Sequence, residues 1–282
     1  MARNDTIRNS LFAAAMLLAG GAAQAGVDVK TLQVIGLTAD QQLISFAVAK
    51  ANKAIAIGGI SGLSDDTALV GIDYRIQDGL LYGVGNAGGV YTINTSTAVA
   101  TLVNRLSVTL NGTQFGVDFN PAADRLRIIS NAGQNLRHNV NSGGVTLEDL
   151  ALNYTTGMTT TGIAAAAYTN NDLDLLTGTS LFDIDPALDQ VVLQSPPNNG
   201  SLVATGKLAV DAGSAIGFDI YTDLSSTNRN NVNIALASLS VGGVTSMYSV
   251  NLLTGEALAY NKFSSAYTVT DIAVPLGQVP PQ

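Results

Sequence analysis

The sequence predicts an all-β protein, a β-propeller of five four-stranded blades closed by pairing of its N- and C-terminal strands. Three observations predict it: short apolar runs bounded by turn residues, one phrase that recurs around the chain, and chain ends that each supply part of one blade.

Taken in order, residues 1–25 read as a secretory signal peptide. Arg3 and Arg8 precede an apolar run from Leu11 to Leu18, and Ala23-Gln24-Ala25 has the small-residue form of a cleavage site. The run is shorter than the roughly 20 residues a bilayer span needs, so cleavage is expected rather than anchoring. The protein is therefore expected outside the cytoplasm, in the periplasm or the medium, with no membrane span after the signal is removed.

Of 13 Lys and Arg and 21 Asp and Glu, removal of Arg3, Arg8 and Asp5 leaves eleven against twenty, so the net charge of −8 becomes −9. So acidic a chain offers nucleic acid and anionic lipid no electrostatic footprint. Cysteine is absent, which excludes a catalytic thiol, a thiolate metal site and disulfides. His138 stands alone, so a site built on several histidines is excluded and a serine triad would have to use it.

Strands follow from the next signals. Ala68–Arg75, Gly79–Gly83, Gly89–Asn94 and Ala98–Asn104 are five- to eight-residue runs with Gly, Asn, Asp or Ser between them, too short for typical helices. Gly71-Ile72-Asp73-Tyr74 recurs as Gly116-Val117-Asp118-Phe119 and Gly217-Phe218-Asp219-Ile220, with a related Val269-Thr270-Asp271-Ile272 near the end. Ala165-Ala166-Ala167-Tyr168 fits the same register with Ala167 in place of Asp. The spacings from residue 73 through 118, 167, 219 and 271 are 45, 49, 52 and 52 residues, at or slightly above propeller-blade repeats.

Val34–Ser45 matches Leu181–Gln194 in its order of strand, Asp-containing turn and strand, so the mature chain starts at the second strand of a blade. Val269–Val274 supplies the missing first strand, and pairing the two ends leaves no open sheet edge. Ser195–Gly200 reads as a turn and Ser225–Asn231 as a polar loop. One domain is expected over residues 32–275, followed by a disordered tail at 276–282, the whole acting as a monomer.

The stretches LVGIDYRIQDGLLYGVGNAGGVYTINTSTA, FGVDFNPAADRLRIISNAGQNLRHNVN, AAAYTNNDLD, LFDIDPALDQVVLQSPPNNGSLVATGKL and GFDIY resemble the bacterial domain-of-unknown-function family 4394. The likeness runs from about Leu32 to Val274 and departs at Ile76, where a turn of the form RPQDG is expected. It implies an exported propeller-like protein and transfers no catalytic residue.

Two groups of side chains are candidates for chemistry. Asp73, Asp118, Asp219 and Asp271 fall at equivalent places on channel-lining strands and would form a ring. Such a ring would suit an oxygen-ligand cation such as Ca²⁺ or a pair of glycosidase-type carboxylates. The favoured role is structural, each Asp accepting backbone N–H groups of the neighbouring blade, because an unpaired carboxylate there would be costly.

Arg125, Arg127, Arg137 and His138 form the second group. Alternation puts Arg125 and Arg127 on one strand face and sets Arg137 and His138 on opposite faces of the next strand. They would serve a carboxylate or phosphate ligand, or else make a solvated face paired with acids. Asp183-Ile184-Asp185-Pro186 with Asp189 lacks the Gly and Glu of a calcium loop and reads as a turn. No cofactor is expected beyond a possible Ca²⁺. The function expected is a binding or scaffold module for an extracytoplasmic ligand or protein; the alternatives are a hydrolase using channel carboxylates and a structural cell-surface component.

Overall fold

Runs of apolar residues interrupted every five or six positions by turn chemistry leave the backbone no choice but short strands, whose amide groups must be satisfied by neighbours. The structure, a computed structural model, describes residues 27–174, 176–224 and 232–278. The expected signal segment and the Ser225–Asn231 loop lie outside the described residues, as do 279–282 of the tail.

Twenty strands are described. The first three are β1 (Gln33–Thr38), β2 (Gln42–Ala47) and β3 (Ile55–Gly59). Next come β4 (Leu69–Tyr74), β5 (Leu81–Gly85), β6 (Gly89–Ile93) and β7 (Ala100–Arg105), then β8 (Phe115–Asn120), β9 (Arg125–Ser130), β10 (Asn135–His138) and β11 (Thr146–Glu148). The fourth group is β12 (Ala165–Tyr168), β13 (Leu181–Asp185), β14 (Gln190–Gln194) and β15 (Leu202–Lys207). The last is β16 (Ala212–Asp223), β17 (Val232–Val241), β18 (Val244–Val250) and β19 (Ala257–Lys262), followed by β20 (Val269–Ala273).

They pair antiparallel as five four-stranded sheets, four of them consecutive in sequence and the fifth in the order β20, β1, β2, β3. The recurring phrase lies on β4, β8, β12, β16 and β20, which are the first strands of the five blades and pack against one another around the ring. Closure is made as expected: Ile35, Gly36 and Leu37 of β1 lie opposite Ala273, Ile272 and Asp271 of β20. We call the closing blade blade 1 and number the others 2 to 5 along the chain. β5 starts two residues after the expected Gly79, because Arg75 to Gly79 closes a turn in which Gly79 has φ +69°.

Among the described residues the apolar core falls into five clusters, one at each contact between blades. Tyr82, Val84 and Val90 of blade 2 meet Val117, Phe119 and Leu126 of blade 3, for example, and Phe182 and Ile184 of blade 4 meet Phe218 and Ala237 of blade 5. Burial on both faces makes the inner strands nearly continuous in small and apolar residues, while an outer strand such as β7 exposes Leu102 and Val103.

Small residues in the recurring phrase have a steric cause. A Cβ on Gly116 would stand 2.5 Å from the backbone nitrogen of Ala166, and one on Gly217 would stand 2.6 Å from that of Ile272. Adjacent inner strands therefore approach closely enough for a side chain on one to reach the amides of the next.

Candidate functional site

The close approach defines what the channel aspartates do. All four are buried. Asp73 Oδ2 accepts the N–H of Phe119 at 2.7 Å, and Asp118 Oδ1 accepts that of Tyr168 at 3.0 Å. Asp219 Oδ2 accepts the N–H of Val274 at 2.6 Å, and Asp271 Oδ2 that of Ile72 at 2.8 Å. Each carboxylate thus reaches the backbone of the following blade.

Asp219 and Asp271 also accept from the N–H groups of Ile220 and Ile272, the residues after them. The register explains the first of these. Ile220 follows Asp219 as Phe119 follows Asp118, but blade 4 supplies Ala167 where the preceding blade would need a carboxylate, so Asp219 turns back to its own neighbour.

Carboxylate oxygens of Asp73, Asp118 and Asp219 lie within 4.8 Å of one another. Burial, then repulsion from Asp219 in the case of Asp73 and from Asp73 in the case of Asp118, pushes both well above the ordinary carboxylate range. Burial raises Asp271 likewise and pushes Asp219 up to about 6, against the lowering effect of its two backbone donors. The ring is thus a set of acids that hold protons more tightly than free carboxyl groups. None of the four lines the axial mouth of about 290 Å³ among Gln41, Leu69, Gln114, Phe115, Ile216 and Thr270, whose lining residues are uncharged.

The second group is divided by the structure. His138 is fully buried on the other face of β10, with Nδ1 3.0 Å from Thr146 Oγ1 and Nε2 2.9 Å from Asn104 Oδ1. Burial and the charge of Arg125 lower its pKa to about 4, which favours the neutral ring, and among the described residues its ring nitrogens meet Thr146 and Asn104 rather than a serine or carboxylate.

Arg125, Arg127 and Arg137 instead converge on one cleft of about 280 Å³, with Asn120, Tyr168, Thr179 and Asn198. The register is the reason: Arg127 of β9 lies directly opposite Arg137 of β10, and Arg125 is two residues along the same face. Asp149 bridges the opposed pair, accepting from Arg127 Nη1 at 2.7 Å and from Arg137 Nε and Nη2 at 2.6 and 2.8 Å. Arg127 is only 1 % exposed, so it is no part of a solvated face. Its Nε and Nη2 donate to the Tyr168 hydroxyl at 3.2 Å and to Asn198 Oδ1 at 2.9 Å. Arg125 donates to the carbonyls of Ala123 and Asp124 and makes no ion pair among the described residues.

Sequence patterning found the three arginines but not Tyr168, Asn198 or Asp149. Tyr168 was within reach, since it follows the ring position of blade 4; Asn198 and Asp149 arrive from loops with no periodic signal. Of the acids near Asp183, Asp185 accepts from the Tyr154 hydroxyl at 2.6 Å and Asp189 from the N–H of Ala212 at 2.8 Å, as turn residues do. Asp183 itself is fully buried with neither oxygen hydrogen-bonded, and burial raises its pKa well above the ordinary value.

These features define a class: a five-bladed propeller whose inner strands are laced together by buried carboxyl groups. The chain belongs to the family of domains of unknown function DUF4394, which matches residues 42–273. It is similar in fold to solved structures at low identity. One is the crystal structure of a nidogen/laminin complex, at 12% identity and a TM-score of 0.48, covering 88% of this chain and 99% of that one. Another is a structural genomics protein of unknown function from Bacteroides thetaiotaomicron VPI-5482, at 12% identity and 0.49, covering 91% and 68%. No curated protein matches the sequence.

Proposed function

We propose that this protein is an exported binding module that does no chemistry in its channel. The supporting observation is the bonding of the four ring aspartates: each accepts a backbone N–H of the next blade, none lines the axial mouth, and burial, joined by repulsion at Asp73, Asp118 and Asp271, favours their protonated forms. A glycosidase pair needs two carboxyl groups that flank a substrate in an open cleft, and these flank only one another. Their work is to clamp the ring, leaving its faces to present a ligand site, as propellers do for many unrelated partners.

The test pairs two measurements on the mature protein. Chromogenic glycosides and esters are expected to remain intact, and a thermal-shift panel of small molecules is expected to contain at least one that raises the melting temperature. Turnover that disappears in folded Asp118→Asn would overturn the reading in favour of a hydrolase. Export itself is checked by the mass of the protein recovered outside the cytoplasm, expected to begin at Gly26.

A further inference from the structure

From the cleft between blades 3 and 4, we infer a binding site for a small organic anion, one whose carboxylate or phosphate group is gripped by Arg125 and Arg137 beside the fixed guanidinium of Arg127. The inference rests on the binding-module reading and names the class of its ligand.

Charge is the first argument. Three of the thirteen cationic residues of an acidic chain stand on this one cleft, and among the described residues Asp149 is the one carboxylate in ion pairs with them. Two further acids near the cleft act on these arginines through charge without pairing with them. Asp124, next to Arg125 in sequence, forms a fork-to-fork pair with Arg75 at 2.7 and 2.6 Å. Asp183 interacts with Arg127 electrostatically, but its burial favours the uncharged acid.

Donor inventory is the second. Arg137 spends Nε and Nη2 on Asp149 and has Nη1 left over; Arg125 spends Nη1 on two carbonyls and retains Nε and Nη2. Both are partly exposed, whereas the buried Arg127 is held on four sides by Tyr168, Asn135, Asp149 and Asn198. One rigid guanidinium flanked by two with free donors is the arrangement that recognises a planar carboxylate or a phosphate through paired N–H groups.

Size is the third. A volume of about 280 Å³ exceeds a bare inorganic ion and lies just under the roughly 300 Å³ at which small-molecule pockets begin. Asn120, Thr179 and Asn198 supply neutral polar groups for the rest of the molecule.

The experiment is a calorimetric and thermal-shift titration of the full mature chain with inorganic phosphate, citrate and galacturonate, against sodium chloride at equal ionic strength. At least one of the three is expected to bind and raise the melting temperature, the organic anions exceeding phosphate. Arg125→Gln is expected to weaken binding about tenfold or more, the value of one charge-assisted contact. That variant loses only bonds to local carbonyls, so its fold is expected to persist. In Asn198→Asp a carboxylate set against Arg127 is expected to abolish binding without loss of stability. Absence of binding by all three anions, or equal binding by wild type and Arg125→Gln, overturns the anion site. A neutral ligand that stabilises wild type and Arg125→Gln equally would sink this site while leaving the binding-module reading in place.

Discussion

Asp118 and Tyr168 are joined across the boundary of blades 3 and 4, the carboxylate of one accepting the backbone N–H of the other at 3.0 Å. Tyr168 also takes the Arg127 Nε–H on its hydroxyl, so one residue ties the channel ring to the arginine cleft. Replacing Asp118 therefore separates two effects. Asp118→Ala removes an acceptor from a buried amide and is expected to cost about 1–3 kcal/mol. Asp118→Asn keeps an acceptor, removes a like charge and offers its amide hydrogens to neighbouring ring oxygens. At pH 7.5 it is expected to be at least as stable as wild type in urea unfolding; a loss as large as that of the alanine variant would show that the carboxylate charge itself is required.

Stability is expected to fall as pH rises through the weakly acidic range. Asp73, Asp118, Asp183 and Asp271 are raised, and Asp219 is raised to about 6, so the folded chain binds more protons than the unfolded one, whose carboxyls titrate near 3.9. Their stabilisation is complete below the unfolded value and is lost as pH climbs through the folded values. His138 works in the opposite direction, since its folded pKa of about 4 favours the neutral ring and adds stability as pH rises toward 6.5. One histidine against five acids leaves a net decline. Urea midpoints measured from pH 4.5 to 7.5 should show it, and Asp219→Asn should flatten it; midpoints that climb with pH would contradict raised ring acids.

Gly116→Ala is expected to destabilise by about 1–3 kcal/mol or more, the scale of overpacking. Its Cβ would meet backbone rather than a movable side-chain tip, 2.5 Å from Ala166 N, and parting those strands would also lengthen the Asp118 contact. Gly79→Ala meets no atom within 4 Å and bears only the cost of its φ of +69°. Thermal melts of the two variants compare close packing with turn strain.

Among the described residues Asp149 is the one carboxylate paired with both Arg127 and Arg137, and its side chain is 6 % exposed. Asp149→Ala is expected to cost about 3–5 kcal/mol, because it strands the buried Arg127 without its partner. Added phosphate should recover part of the lost melting temperature if the cleft accepts anions, an effect absent with chloride.

The ring architecture is legible in the sequence because its signal is periodic: Asp73, Asp118, Asp219 and Asp271 mark inner strands, and Ala167 holds the same register without the carboxylate. Their favoured role as backbone acceptors followed from the cost of burying them unpaired. The clustering of Arg125, Arg127 and Arg137 was visible in strand alternation. Which acid answers them was not, since Asp149 lies beyond the end of β11 and Asn198 in the loop after β14, and no local pattern places a loop residue opposite another blade. The burial of His138 was equally hidden, because alternation assigns a face and not what covers it.

The pairing of β1 with β20 makes ring closure a long-range event in folding. Blades 2 to 5 can each form from four consecutive strands, but blade 1 needs Val269–Ala273, more than 230 residues after the strand it must join. Until that strand pairs, Asp219 lacks the Val274 amide and Ile72 lacks the Asp271 carboxylate. Without β20 the ring would remain an open, edge-exposed horseshoe, so its closure depends on a strand far along the chain from the partner it joins.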